Sequence, residues 1–261
     1  MKSMRISTVL LLATCVLVQA QIRQEKLVIG QNQRHEIIGS DIIVLDTLIM
    51  KDSAVLVLNR DKADNFIHAK YIRFEKGSRI EGHGIDGIAG RPGRDGYTSD
   101  GPCKDGIAGT SGARGTAAKG GVNLYMYFDQ IVIDASVLIE LSGGDGGDGG
   151  KGGRGGGGSP GTRLCNGGNG GNGGNGGAGG NGGNGGNLTL ACKPCPDLRA
   201  WIGNRIVVRG YGGNGGLGGA GGLGGLAGLI NSGNSEDGER GQKGRTGTDG
   251  EPGRNGAINF E

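Results

Sequence analysis

Residues 167–187 read GGNGGNGGNGGAGGNGGNGGN, seven triplets with two glycines in each and no slip in phase. Similar phase-locked runs occupy residues 84–96, 106–115, 143–158, 212–226 and 238–256. Three residues per turn is the period of the polyproline II helix, which forms no hydrogen bonds within itself. Buried backbone polar groups need partners. The six runs must therefore either pack side by side or remain in water as linkers. Linkers of the Gly/Ser type have no reason to hold a phase, and serine is sparse here, so packing is the expectation.

Working outward, glycine supplies 64 of the 261 residues and proline only 6. A collagen triple helix would need a strict G-X-Y period with abundant proline. The one-glycine runs 84–96 (GIDGIAGRPGRDG) and 238–256 (GERGQKGRTGTDGEPGRNG) have collagen-like triplets, but they are short, poor in proline and bracketed by other structure. The first twenty residues read as a secretory signal. Lys2 and Arg5 precede the apolar run 6–18, and Val18-Gln19-Ala20 offers a small-residue cleavage site. No later segment approaches the roughly 20 apolar residues of a membrane span. Two of the 28 basic residues lie in the signal, so the remaining 26 face 25 acidic ones. That balance gives no electrostatic case for nucleic acid.

Four cysteines remain after the signal: Cys103, Cys165, Cys192 and Cys195. An even count in a secreted chain implies two disulfides with three possible connectivities. The Cys192–Cys195 spacing also matches half a zinc site or a redox motif, but there is one such pair only and no βαβ pattern around it.

Between the signal and the first glycine run the chain alternates like β-strands, at 42–45, 48–50, 55–58, 66–67 and 71–74. Residues 47–58 (TLIMKDSAVLVL), 71–82 (YIRFEKGSRIEG) and 130–141 (QIVIDASVLIEL) repeat one pattern: an apolar strand, a small turn, a second strand. Residues 205–209 (RIVVR) resemble a truncated fourth copy. Units that cannot bury their apolar face alone stack as a solenoid. The expected fold is all-β: a short β-solenoid base carrying about six polyglycine II helices as three hairpins, with essentially no helix after the signal. Residues 21–83 form the first rungs. Residues 84–261 carry the hairpins with interleaved strands at 122–141, 188–209 and 257–260, in one composite domain.

The hairpins span 84–120, 143–187 and 212–256, with tips at 97–105, 159–166 and 229–237. At about 3.1 Å per residue, a five-triplet arm is about 46 Å long and the seven-triplet arm about 65 Å. Cys103 and Cys165 then lie in far tips while Cys192 and Cys195 lie at the base. A bond along an arm's length exceeds disulfide reach, so the expected pairs are Cys103–Cys165 and Cys192–Cys195.

The third position of each triplet distinguishes the arms. Asp145, Asp148, Lys151 and Arg154 make a charged ridge. Asn169, Asn172, Asn175, Asn181, Asn184 and Asn187 make a polar surface ladder, interrupted by Ala178. Leu217, Leu223, Leu226 and Leu229 are expected to pack against the base or a neighbouring arm. Asp145 and Asp148 are weak calcium candidates, because they lack the nine-residue period of Gly-Asp calcium repeats. Asn187-Leu188-Thr189 is a glycosylation sequon. The GxGxxG matches follow from composition and open no helix after a strand. His35, His68 and His83 are scattered, and no nucleophile–base set can be assembled. The chain reads as a non-enzyme without a cofactor.

The phase-locked arms with cysteines at their ends resemble the polyglycine II bundles of springtail antifreeze proteins and of certain phage tail-fibre adhesins. Their Gly- and Asn-rich character also looks like that of glycine-rich proteins of shell, skeletal and cuticle matrices. The antifreeze resemblance implies ice binding by a flat face of small residues, whereas the outward positions here are Asn, Asp, Arg, Lys and Leu. The expected function is therefore a secreted, non-catalytic structural protein of an extracellular, biomineralised matrix, contacting matrix components, glycans or mineral. The second expectation is an ice-binding, adhesion or other surface-binding module.

Overall fold

The computed structural model describes residues 22–195, 197–230 and 235–261; the signal-peptide assignment to residues 1–20 lies outside them. Eleven strands follow in order: β1 Ile22–Ile29, β2 Arg34–Glu36, β3 Ile42–Met50, β4 Val55–Val57, β5 Asp64–Phe74, β6 Arg79–Glu81, β7 Asn123–Ile133, β8 Val137–Glu140, β9 Leu188–Ala191, β10 Ile206–Arg209 and β11 Ile258–Phe260. The odd strands through β11 form one six-stranded sheet in the order β1-β3-β5-β7-β9-β11. The even strands form a second, β10-β8-β6-β4-β2, and every pairing is parallel. Each coil of chain thus gives one strand to each sheet, which is a β-solenoid. The first coil, β1 and β2, lies within the expected rungs at 21–83, but its strands precede the alternation read from Ile37, since Arg23–Lys26 and all of β2 are exposed and carry little apolar alternation. Exposed charge on an edge strand also discourages pairing with other chains.

The alternation that makes these segments strands also makes the core. Leu48, Met50, Leu56, Ile72, Phe74, Ile80, Leu124, Met126, Ile139 and Leu141 are almost fully buried between the sheets. In β3 the inward positions run Ile43, Leu45, then Leu48, Met50, so the alternation slips by one at Asp46–Thr47. The same slip occurs after Ala69 in β5 and after Phe128 in β7. The first sheet bends along this line. At its far end the single turn of 3-10 helix, Leu198–Trp201, lays Leu198 and Trp201 over the core.

The glycine arms prolong the two sheets. Arms 1 (84–96), 3 (143–158) and 5 (210–229) leave β6, β8 and β10. Arms 2 (106–121), 4 (167–187) and 6 (238–256) return into β7, β9 and β11. Because the strands are stacked in parallel, the outgoing arms form one layer and the returning arms another. Within a layer the bonds are parallel: Gly149 N–H donates to Leu217 O, and Gly173 N–H to Gln242 O, both at 2.8 Å. Between layers they are antiparallel: Gly177 N–H donates to Gly150 O and Gly150 N–H to Ala113 O, again at 2.8 Å. Each series repeats every third residue, as a threefold helix requires.

The resulting slab contains no buried hydrophobic residue at 84–120 or 143–187 among the described residues. Its interior is backbone. Glycine content follows position: arms 1 and 6, each bonded to two other arms, carry one glycine per triplet, while arms 3 and 4, each bonded to four, carry two. The collagen-like runs are therefore the slab's margins. Cys103–Cys165 ties the first tip to the second, Cα–Cα 6.0 Å, and Cys192–Cys195 closes a short loop at the base, Cα–Cα 5.5 Å.

A Cβ at Gly150 would collide with the Arg91 carbonyl oxygen and lie 2.6 Å from its carbon, so the arms would have to separate. Gly150→Ala is expected to cost about 3 kcal/mol in chemical denaturation. Exposed Lys151→Ala is expected to stay within about 0.5 kcal/mol. Equal effects at the two positions would contradict a backbone-packed interior.

Candidate functional site

The third position of every triplet points away from the slab, so the two layers present two broad faces. On the return face, arm 4 occupies the centre, with Asn169, Asn172, Asn175, Asn181, Asn184 and Asn187 exposed along it. These side chains do more than face solvent. The Oδ1 of Asn169, Asn172, Asn175, Asn181, Asn184 and Asn187 accepts the N–H of Glu239, Gln242, Arg245, Glu251, Arg254 and Ala257, at 2.7–3.1 Å. Glycine N–H groups point at neighbouring arms, but the N–H of the residue that follows each arm 6 glycine lies on the face and needs an acceptor from arm 4. Asparagine is long enough to supply it. Thr248, opposite Ala178, has no such acceptor among the described residues. With Oδ1 engaged, each exposed carboxamide keeps its Nδ2 for other partners, at steps of about 9.3 Å that double across Ala178.

Arm 2 flanks this column with Ala108, Ser111, Arg114 and Ala117, and arm 6 with Glu239, Gln242 and Arg245. The sequon residue Asn187 is exposed at the base of the column, with Leu188 and Thr189 buried in β9.

The outgoing face uses carboxylates in the same way. Asp145 Oδ1 accepts from Asn214 N–H at 2.7 Å and Asp148 Oδ1 from Leu217 N–H at 2.8 Å. One helical turn, about 9.3 Å, separates the two aspartates, too far for both to bind one ion. Among the described residues no three His, Cys, Asp or Glu side chains cluster as a metal site. Leu217, Leu223, Leu226 and Leu229 are 65, 49, 68 and 62% exposed. This corrects the expectation that they pack: arm 5 directs its two glycines at arms 3, 4 and 6, which leaves only the outward ridge for the leucines.

A groove of about 870 Å³ crosses the first sheet at its bend, lined by His68, Lys70, Tyr127 and Asp129 among others. His68 stacks on Tyr127 at 4.5 Å. Asp46 pairs with Lys70 at 2.8 Å and holds that ammonium above its ordinary range. Burial, with the Glu261 carboxylate, pushes the Tyr127 phenol up.

Asparagine content and spacing were visible in the sequence. Its bonding role was not, since it depends on which arm lies beside arm 4. The signal that could have revealed it is the shared level of Asn and Asp in adjacent arms, as with Asp105 and Asn169.

The chain matches no family model and no curated protein. Among solved structures, it is similar to the nine polyproline type II helical bundle springtail antifreeze protein from Granisotoma rainieri. Identity is 26%, coverage is 60% of this chain and 93% of that one, and the TM-score is 0.10. At that score the likeness carries no argument about fold or function.

The capping role makes a signed prediction. Asn172→Ala is expected to lose about 1 kcal/mol of stability, and Asn172→Asp, which keeps the acceptor, close to none. Ala178→Asn is expected to gain about 1 kcal/mol by capping Thr248. Denaturation midpoints of the three variants check this, and a destabilising Ala178→Asn would refute it.

Proposed function

We propose that the protein is a secreted, non-catalytic structural component of an extracellular matrix, and that its return face holds glycan chains or a mineral surface. The observation that carries this reading is the asparagine column: two runs of three exposed carboxamides at a fixed step, separated by Ala178, set on a backbone-packed slab that needs no reordering on contact. Preorganised donors lose little entropy on binding, and several weak contacts in register add as multivalent binding does. The two disulfides suit an oxidising compartment. In the groove of the first sheet, the Asp46 carboxylate is occupied by Lys70, which supports a non-catalytic reading there.

The small residues Ala108, Ser111 and Ala117 beside the asparagines, interrupted by Arg114, favour a second reading, binding to ice as another repeating surface.

The test uses a quadruple variant, Asn172→Asp, Asn175→Asp, Asn181→Asp and Asn184→Asp. It keeps the acceptors that hold arm 6 while replacing outward donors by carboxylates. Binding to chitin is expected to weaken at least tenfold and adsorption on calcium carbonate to strengthen, with melting unchanged. Thermal hysteresis at micromolar protein would favour the ice reading. Retention on neither chitin nor carbonate above that of serum albumin would overturn the matrix reading.

A further inference from the structure

On the outgoing face, the column along arm 3 reads Asp145, Asp148, Lys151, Arg154, from base to tip. Two negative charges are followed by two positive ones at equal steps. Beside it runs the column of arm 5, where exposed Leu217, Ala220, Leu223 and Leu226 lie level with Asp148, Lys151, Arg154 and Gly157, as fixed by the bonds between the arms. A charge order of this kind is complementary to its own reverse. When a second copy is laid face to face with its arms antiparallel, Asp145 meets the other copy's Arg154 and Asp148 its Lys151. The same operation sets Leu217 on Ala220, Leu226 on exposed Tyr211 at the base of arm 5, and Leu223 on the carboxamide of Asn214. With arms parallel, Asp would face Asp and Arg would face Arg.

We propose that the outgoing face is a self-association surface, on which two copies of this chain pair about a two-fold axis that crosses the arms between the levels of Asp148 and Lys151. Such an interface is isologous and closes at two copies. Along arm 1, at the rim, the same operation sets Asp86 opposite the other copy's Asp95, a like-charge contact softened because each carboxylate already accepts an N–H, of Asp145 and Arg154 respectively, and outweighed by the opposite-charge pairs of arm 3. Two columns about 4.8 Å apart, over six levels separated by five steps of about 9.3 Å, give a footprint of roughly 500 Å² per copy once side-chain width is included. That is the low end of specific interfaces, so the dimer is weak and reversible. Pairing through this face leaves both return faces outward, so a dimer presents two asparagine columns on opposite sides and can bridge two surfaces. The dimer itself does not depend on what the return face binds.

Sedimentation equilibrium of the full oxidised protein at 1–100 µM tests this directly. The wild type is expected to dimerise and to weaken between 0.1 and 1 M NaCl, as paired exposed charges are screened. Lys151→Glu with Arg154→Glu, side chains that hold no slab bond, is expected to raise Kd at least tenfold with an unchanged melting curve. Leu223→Asn with Leu226→Asn, which places arm 4's own residue at equivalent positions, is expected to do the same. A wild type that stays monomeric at 100 µM would overturn the proposal. So would a dimer indifferent to both double variants.

Discussion

The N–H···O=C bond between neighbouring glycine arms is the contact on which the remaining architecture depends. A threefold helix satisfies none of its own backbone, and an orphaned buried amide is costly. The arms therefore persist only where another backbone comes close enough to bond. That closeness excludes a Cβ, which is why Gly150 and Gly177 sit against carbonyl groups of arms on either side. Ordering so much glycine is entropically expensive. The β-solenoid offsets part of that cost by delivering each arm already aligned with the last: parallel strands β6, β8 and β10 launch the outgoing layer, and β7, β9 and β11 receive the return layer. At the far end Cys103–Cys165 and the Ser159 hydroxyl, bonded to Ser99 O, keep two tips together.

Glycine periodicity and strand alternation were legible because both are local. The run at 167–187 shows its period without any knowledge of its neighbours, and the 24-residue offset between 47–58 and 71–82 marks a coil of the solenoid directly. What was not legible depends on adjacency. Residues 84–96 resemble collagen until arm 1 is seen at a margin, where one bare ridge is enough. The leucines of arm 5 resemble a core until the glycines of the same triplets are found facing three other arms. Asn172 resembles a free surface group until Gln242 N–H is found on its oxygen. Within the expected rungs at 21–83, the two strands of the first coil were not individually legible, because they lie at an edge where charge replaces alternation.

The two faces of the slab follow from a single rule with different residues. Each outward side chain lies beside the N–H of the next arm at the same level, where Asn or Asp can bond an amide that the slab leaves without a backbone partner. On the return face the rule produces a column of carboxamides. On the outgoing face it accounts for Asp145 and Asp148, which cap arm 5. It leaves Lys151, Arg154 and the leucines unexplained by the fold itself. Those are the side chains with the strongest claim to a role outside the slab.

Amide hydrogen exchange of the oxidised protein, resolved to single residues, tests the backbone-packed slab most directly. Protection is expected with a period of three in arms 3 to 6. Glycine amides such as Gly149, Gly177 and Gly216 should be slow, and amides that lie on the faces should be slow only where Asn or Asp caps them. Gln242 and Glu251 should then exchange slowly, and Thr248, Ala220 and Leu223 quickly. Uniformly fast exchange along the arms, or protection without that period, would contradict the account.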